Sequence, residues 1–202
     1  MSLKGSYQTI IAANGVSIQG GVSVFAAQQG IEPVDTELAA GAAVSAWVKD
    51  DANTASGNLT AGHGLSTGKF DVFWTGGRRY NVDGTVTVNA LALDGGAGDD
   101  FPANGTSGIV VCPPTTLDVT FDGDNLVLIG ALLSRLGLLI FWDSGGALIG
   151  DPVDLRALLP WGWATGFGNN PLAGNAVDHV TVSNGSSEGT AAFKLTGLQY
   201  AV

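Results

Sequence analysis

Glycine interrupts this sequence so often that a long regular helix does not fit into it. Glycine fills 31 of the 202 positions, and short apolar alternations bounded by Asn and Asp lie between the glycines. Alternation with a period of two places side chains on opposite faces of an extended strand, and the punctuating residues are those that favour turns. The pattern predicts an all-β protein, an antiparallel β-sandwich or barrel divided into two small domains.

Composition excludes several other classes of protein. Charged residues make up 13% of the chain and apolar residues 45%, whereas globular chains average roughly 25% charged. With so few exposed-helix formers a helical bundle is not expected, and with so much apolar content disorder is not expected either. Eight Lys and Arg against 18 Asp and Glu give a net charge of −10, the wrong sign for binding nucleic acid.

The chain also lacks the marks of a secreted or membrane protein. No run approaches the roughly 18 to 20 apolar residues that span a bilayer, and the N-terminal residues form no signal peptide. Cys112 is the single cysteine, so no intramolecular disulfide forms. We therefore expect a soluble chain that is made in the cytoplasm and has no membrane partner.

The best candidate for a domain boundary is the pair Pro113-Pro114, because two prolines in succession cannot donate to a β-ladder. This boundary predicts an N-terminal β-domain over residues 1–112 and a C-terminal sandwich-like domain over residues 115–202. One segment, Asp35 to Ala43, favours a short helix, since it offers a capping residue followed by Glu37 and alanines.

Turns and strands can be placed within these domains. Two short strands or one bulged strand are expected around Gly20-Gly21. The alternation over 43–49 puts Val44, Ala46 and Val48 on one face. Hairpin turns are expected at 75–78, at Asp83-Gly84 and at Asn89-Ala90. The apolar runs 126–133 and 138–142 fit either a buried hairpin or one helix, and the surrounding glycines favour strands. A final strand pair is expected over 177–183 and 190–200.

Candidate catalytic residues are few. His63 and His179 are the two histidines, and neither stands in a metal-binding or catalytic motif. We interpret both as turn or surface residues, and Cys112 as a small buried hydrophobe. A glycan hydrolase would need a pair of carboxylates, for which Asp151 and Asp154 are the nearest candidates. The sequence predicts no catalytic residue, no cofactor and no enzyme activity.

Two acidic loops have some likeness to calcium sites. Residues 95–100 fit G-G-x-G-x-D, the core of a calcium-binding repeat that works only when several copies stack. Residues 122–125 open like a calcium loop, but Leu133 stands where a bidentate Glu belongs. A solvated loop is the favoured interpretation of each. If calcium binds, Asp94, Asp99 and Asp100 are its expected ligands.

Exposed aromatic residues are the candidate interaction site. Trp161, Trp163 and Phe167 lie in a stretch rich in Gly and Asn that is typical of a loop. Flat aromatic faces anchor subunit contacts and also stack on sugars, whereas a structural role would be to plug the open end of a sandwich. Subunit contact is the favoured functional interpretation, and binding of a surface glycan is the alternative.

Residues 60–68, Thr-Ala-Gly-His-Gly-Leu-Ser-Thr-Gly, resemble the HGLxxG turn that recurs in tail, baseplate and fibre proteins of bacteriophages. In that pattern a strand, a Gly-rich hairpin, a Tyr-containing strand and a closing strand follow the turn. The corresponding segments here are 69–74, 75–77, 78–82 and 90–96, so that the resemblance covers about residues 55–112. Lys69 stands where the pattern often has Asp.

The resemblance implies a virion protein that is made in the host cytoplasm and whose partners are itself and other virion proteins. We expect a non-enzymatic structural component of a phage tail, fibre adaptor or capsid decoration that acts by homo-oligomeric assembly. The alternative is a carbohydrate-binding β-sandwich that uses Trp161 and Trp163 as stacking platforms. The apolar run from Tyr7 to Ala13 is a candidate arm that adds a strand to a neighbouring subunit.

Overall fold

The computed structural model describes residues 16–18, 22–25, 27–96, 101–155, 163–165, 172 and 174–201. Apart from one 3₁₀ turn at Gly123–Asn125, every regular element in those ranges is a strand, and the predicted all-β fold is confirmed. In chain order the strands are β1 (Val16–Ile18), β2 (Val22–Phe25), β3 (Ala27–Leu38), β4 (Ala42–Lys49), β5 (Thr54–Leu59), β6 (Gly68–Trp74), β7 (Gly77–Thr87), β8 (Ala90–Asp94), β9 (Ile109–Cys112), β10 (Thr115–Leu117), β11 (Phe121–Asp122), β12 (Leu126–Leu133), β13 (Gly137–Trp142), β14 (Leu148–Leu155), β15 (Trp163–Thr165), β16 (Ala176–Val177), β17 (His179–Asn184) and β18 (Ala191–Ala201).

Six strands close into an antiparallel barrel in the order β4-β5-β8-β7-β6-β9, with β9 pairing back onto β4. Alternate side chains of these strands fill the interior, as the period-two pattern predicts. Trp47 and Phe101 belong to this core and meet edge to face at 5.8 Å between ring centroids. The indole Nε1 of Trp47 donates to the carbonyl of Pro102 at 2.9 Å, so the loop after β8 is tied to the barrel.

Two four-stranded sheets form a β-sandwich beside the barrel. One has the order β15-β12-β18-β3 and the other β10-β17-β13-β14. The apolar faces of both sheets contribute to one shared core, in which Ile129, Phe141 and Phe193 are almost completely buried. The remaining strands form two small ladders, β1 with β2 and β11 with β16.

The barrel is inserted into the sandwich. Strand β3, which the sequence analysis places in the N-terminal domain, pairs along most of its length with β18 in the second half of the chain. The chain then enters the barrel through residues 39–41 and returns to the sandwich through Pro113-Pro114. Asn184 fixes the first connection, because its buried side-chain amide donates to the carbonyl of Ala39 at 3.2 Å. The sandwich is therefore built from both ends of the described chain.

An apolar interface joins the two units. On β13, Leu139 and Phe141 face the sandwich core, and Leu138 and Ile140 face the barrel. The barrel contributes three buried side chains to this second layer, which are Phe73, Val110 and Cys112. Strand β13 is thus covered on both faces, which explains why its sequence is a continuous apolar run rather than an alternation. At the edge of this layer, Arg78 Nη1 lies 2.7 Å from Asp154 Oδ2.

Strand β4 corrects the predicted alternation over 43–49. Trp47 is buried in the barrel, whereas Ala46 and Val48 are exposed. Ala46 has a φ of 48°, and the register between β4 and β5 shifts between Ser45 and Val48. An irregularity of this kind breaks the period of two, so the side chains after it point to the opposite faces.

Other predictions of local structure are also corrected. The helix predicted over 35–43 is wrong, because these residues end β3 and begin β4. The runs 126–133 and 138–142 are strands, as favoured, but they lie in opposite sheets and form no hairpin, and the same holds for β17 and β18. The hairpin β6–β7 and the strand pair around 20–21 are confirmed.

The turn predicted at Asp83-Gly84 is wrong for a packing reason. Gly84 lies inside β7, opposite Gly68 of β6, where a Cβ would stand 2.2 Å from Cδ2 of the buried Phe70 ring. Glycine is therefore required there by a close approach rather than by a turn. The hairpin predicted near Asn89 is present one residue earlier, with Thr87 paired to Ala90.

The pair of facing glycines gives a matched test of the barrel core. Gly84→Ala forces the Phe70 ring out of place, and we expect it to lower the free energy of unfolding by about 2 kcal/mol, as overpacking does. Gly68→Ala meets no atom within 4 Å and should change stability by less than about 0.5 kcal/mol. Urea unfolding of both variants measures the difference, and equal stabilities would contradict the packing that the structure assigns to Gly84.

Candidate functional site

The predicted aromatic site falls largely outside the residues that the structure describes. Trp161 and Phe167 lie outside them, and for Trp163 only the backbone is described, as the first residue of β15, paired with Ala131 of β12. The roles of these three aromatic residues in subunit contact or sugar stacking stay predictions.

The acidic loops are engaged in local backbone contacts where they are described. Asp94 Oδ1 accepts from the amide of Gly96 at 2.9 Å, and Asp122 Oδ1 accepts from the amide of Asp124 at the same distance. Asp99 and Asp100 lie outside the described residues. Among the residues that are described, no three His, Cys, Asp or Glu side chains gather closely enough to hold a metal ion. Binding of calcium by Asp94, Asp99 and Asp100 stays a prediction.

Cys112 lies in the interface between barrel and sandwich. Burial, together with the smaller effect of the nearby Asp71, raises the pKa of its thiol to about 12. A thiol with so high a pKa stays protonated at neutral pH and is a poor nucleophile. Its packing against Leu138 and Ile140 fits the interpretation as a small buried hydrophobe.

The HGL turn is clamped to the neighbouring hairpin through its histidine. His63 Nδ1 accepts from the amide of Leu65 at 2.9 Å, which leaves Nε2 to donate to the carbonyl of Val88 at 2.9 Å. Val88 is 83% exposed and has a φ of 56°, an unfavourable conformation for a β-branched residue. Both ring nitrogens are therefore occupied by backbone groups, which is a structural use of this histidine.

The best candidate for a functional site in the described chain is the junction between barrel and sandwich. Asp71 points out of β6 into this junction and is 1% exposed. Opposite it, the register of β7 shifts so that Tyr80 and Asn81 together face one residue of β6. Asn81 takes a φ of 55°, which asparagine tolerates better than most residues, and its amide donates to Asp71 Oδ1 at 3.3 Å.

Burial changes the acidity of Asp71. Loss of solvent raises the pKa of its carboxyl group to about 6 from an ordinary value of 3.8, and the hydroxyl of Ser183 and the amide of Asn81 offset this only in part. A carboxyl group with a pKa of about 6 is present in both its protonated and its ionised form close to neutral pH. Its raised pKa and its position on the wall of a cleft make Asp71 a candidate functional residue.

A cleft of about 400 Å³ opens beside Asp71, and we call it the junction cleft. Both units contribute to its lining, which consists of Lys69, Asp71, Asn81, Pro114, Thr116, Ile140, Trp142, Gly146, His179 and Thr181. The indole Nε1 of Trp142 donates to Thr181 Oγ1 at 2.7 Å, so the orientation of the ring is fixed. The imidazole of His179 stacks with that ring at 6.2 Å between centroids, and its Nδ1 lies 3.0 Å from Asp178 Oδ2.

A second cleft of about 590 Å³ lies at the other end of the interface, between the β6–β7 hairpin and the sandwich. Trp74, Arg78 and Asp154 are among its lining residues, and the ion pair between Arg78 and Asp154 crosses from one unit to the other. Asp154 is thus the partner of an arginine. This pairing gives it a structural role. Asp154 also lines, together with Asp151, a third cleft of about 340 Å³.

Sequence analysis missed Asp71 and Trp142. The available signal was a single acid within the apolar strand Phe70-Asp71-Val72-Phe73, since an acid flanked on both sides by core residues is either solvent-exposed or buried for a reason. Which of the two applies depends on the sandwich, whose β13 and β17 cover this face of the barrel.

Comparisons of this chain with protein-family models, with curated proteins and with solved structures found no match. None of the helical segments in the described part of the chain has the length and apolar character to cross a membrane.

The buried acid makes stability depend on pH in a definite direction. Because the pKa of Asp71 is higher in the folded than in the unfolded state, its contribution to stability is greatest below about pH 4 and is lost as the pH rises to about 6. Asp71→Asn removes this pH-dependent loss of stability, because the asparagine side chain does not ionise. The free energy of unfolding of the variant relative to the wild type should therefore increase by on the order of 1–3 kcal/mol between pH 3.5 and pH 7.

Urea unfolding at several pH values measures this difference. Asp83→Asn is the matched control, because Asp83 is an exposed acid in a surface ion pair with Lys69. A difference between Asp71→Asn and wild type that stays constant with pH would contradict the burial of a carboxyl group at this junction.

Proposed function

We propose that this chain is a non-enzymatic structural component of a bacteriophage particle, as part of a tail, a fibre adaptor or a capsid decoration. It acts by assembling with copies of itself and with other virion proteins. The virion part of the proposal is supported by the resemblance of residues 60–68 to the HGLxxG turn of phage proteins. In this turn His63 bonds to the backbone of Leu65 and Val88 and holds the turn against the barrel. The observation that carries the assembly mechanism is the open edge of strand β3.

Strand β3 has twelve residues, about twice the usual length of a strand. It stands at the end of its sheet, and in the part of the chain that the structure describes its one partner is β18. A long edge strand presents unpaired backbone donors and acceptors that can hydrogen-bond to a strand of another chain. It is therefore the best candidate surface for strand addition.

The edge favours one kind of partner over another. Asp35 and Glu37 are exposed on it, and Asp35 pairs with Lys194 at 3.2 Å. Two copies of this acidic edge would repel each other, so self-pairing is disfavoured. The segment 7–13 is mainly apolar and carries no charge, although its apolar residues do not alternate strictly. Because it is uncharged, the acidic side chains of β3 do not repel it, and it suits the edge of β3 in a neighbouring subunit. Such a contact joins two different surfaces and builds rings or filaments.

The register of β3 restricts where a strand could be added. The pairing with β18 shifts between Leu195 and Gly197, so that Glu32 and Pro33 lie in an irregular segment. Pro33 has no amide hydrogen to donate. An added strand is therefore limited to the residues on one side of this break, 27–31 or 34–38, and a seven-residue arm is long enough for either.

Light scattering and negative-stain images of the full chain test the proposal. We expect oligomers, as rings, trimers or filaments, and we expect deletion of residues 1–14 to reduce them to monomers with an unchanged circular dichroism spectrum. A variant in which residues 7–13 are replaced by a Gly-Ser segment of equal length keeps the length of the arm and removes its apolar side chains. We expect it to be a monomer, like the deletion variant. A full chain that stays monomeric at every concentration would contradict the assembly function, and unchanged oligomers after deletion would contradict the arm.

A further inference from the structure

We propose that the junction cleft binds a neutral sugar ring, with the ring stacked on Trp142 and its hydroxyl groups bonded to the polar wall around Asp71. This site differs from the one predicted at Trp161 and Trp163. It also adds a binding activity to the assembly role, on which it does not depend.

The aromatic side of the cleft is held in place. Trp142 is partly exposed, and its hydrogen bond to Thr181 and its stacking with His179 prevent the ring from turning. A pyranose ring has one face made mainly of C–H groups, which packs against an indole, and a fixed indole loses little conformational entropy when it is covered. The apolar Ile140 and Pro114 extend this surface.

The polar side of the cleft matches the hydroxyl groups of a sugar. Asp71 and Asn81 stand on the barrel wall, and the hydroxyl of Thr116 stands on the sandwich wall. A carboxylate accepts hydrogen bonds from hydroxyl groups, and the nearly complete burial of Asp71 makes each such bond count for more than it would in water. The convergence of one aromatic ring with donors and acceptors from two walls is the pattern of a small-molecule site.

The charges in the cleft favour a neutral ligand over an anion. Lys69 is the cation of its lining, and its Nζ lies 2.8 Å from Asp83 Oδ2. Asp71 lines the cleft and Lys69 is already paired with Asp83, so that the carboxylate of Asp71 would repel a phosphate or an acidic sugar. The volume of about 400 Å³ falls in the ordinary range for small-molecule pockets and is enough for one or two sugar rings.

The cleft is preformed because both of its walls are rigid. The barrel wall is fixed by the bulge at Tyr80 and Asn81, and the sandwich wall by β13, which is buried on both faces. A sugar therefore binds without ordering the protein, which lowers the entropic cost of binding.

Saturation-transfer NMR with a panel of methyl glycosides of glucose, galactose, mannose and N-acetylglucosamine tests the proposal on the full chain. The signals of the sugar are observed, so the measurement works for a monomer and for a large assembly alike. We expect at least one glycoside to bind, with its C–H face receiving the strongest saturation. No saturation of any member of the panel would overturn the proposal.

Two neighbouring threonines of β10 locate the binding. Thr115 and Thr116 are both exposed, and their side chains point to opposite faces of the strand, so that only Thr116 lines the cleft. Thr116→Tyr fills the cleft and should weaken binding at least tenfold, whereas Thr115→Tyr should change it less than twofold. Equal affinities of the two variants would place the sugar elsewhere and overturn the assignment. Asp71→Asn, which keeps the shape of the side chain, should weaken binding severalfold, and unchanged affinity would exclude the carboxylate as a contact.

Discussion

The burial of β13 on both of its faces is the constraint on which the rest of this structure depends. One face closes the sandwich core through Leu139 and Phe141, and the other packs through Leu138 and Ile140 against the outside of the barrel. Full burial of a side chain of this size stabilises a fold by roughly 1.5–3 kcal/mol, so the interface holds the two units in one arrangement. Both clefts of the junction exist because of it, as does the burial of Asp71.

The sequence allows the fold class to be predicted because strand formation depends on local alternation and on turn residues. It also carries a less obvious signal, since the short apolar runs Ile109–Cys112 and Gly137–Trp142 form strands that are buried on both faces. The longer apolar run Leu126–Leu133 does not follow this rule, because Leu132 is exposed. The hairpins could be predicted from their turns, but the pairing of strands that are distant in the sequence could not, because it depends on contacts between distant residues. Thus β12 and β13 are consecutive but belong to opposite sheets, and β3 joins a strand more than 150 positions later.

Less of the candidate site than of the fold could be predicted, because the site is formed by a shift in strand register and by contacts between barrel and sandwich. The bulge at Tyr80 and Asn81 directs a backbone amide to Asp71, yet no residue type in that segment specifies a shift of register. His63 was visible in the sequence, and its use in the HGL turn is structural. Trp142 was visible only as the end of an apolar run, and its place on the wall of a cleft follows from the position of the barrel.

The proposed sugar site is lined by both units, and it therefore requires that barrel and sandwich form one rigid body. Differential scanning calorimetry of the purified chain tests that claim most directly. The interface predicts one cooperative transition for the whole chain, and it predicts that Leu138→Ala, which leaves both separate cores intact, lowers the temperature of the entire transition. Two resolved transitions, with the variant leaving each at its wild-type temperature, would contradict the account.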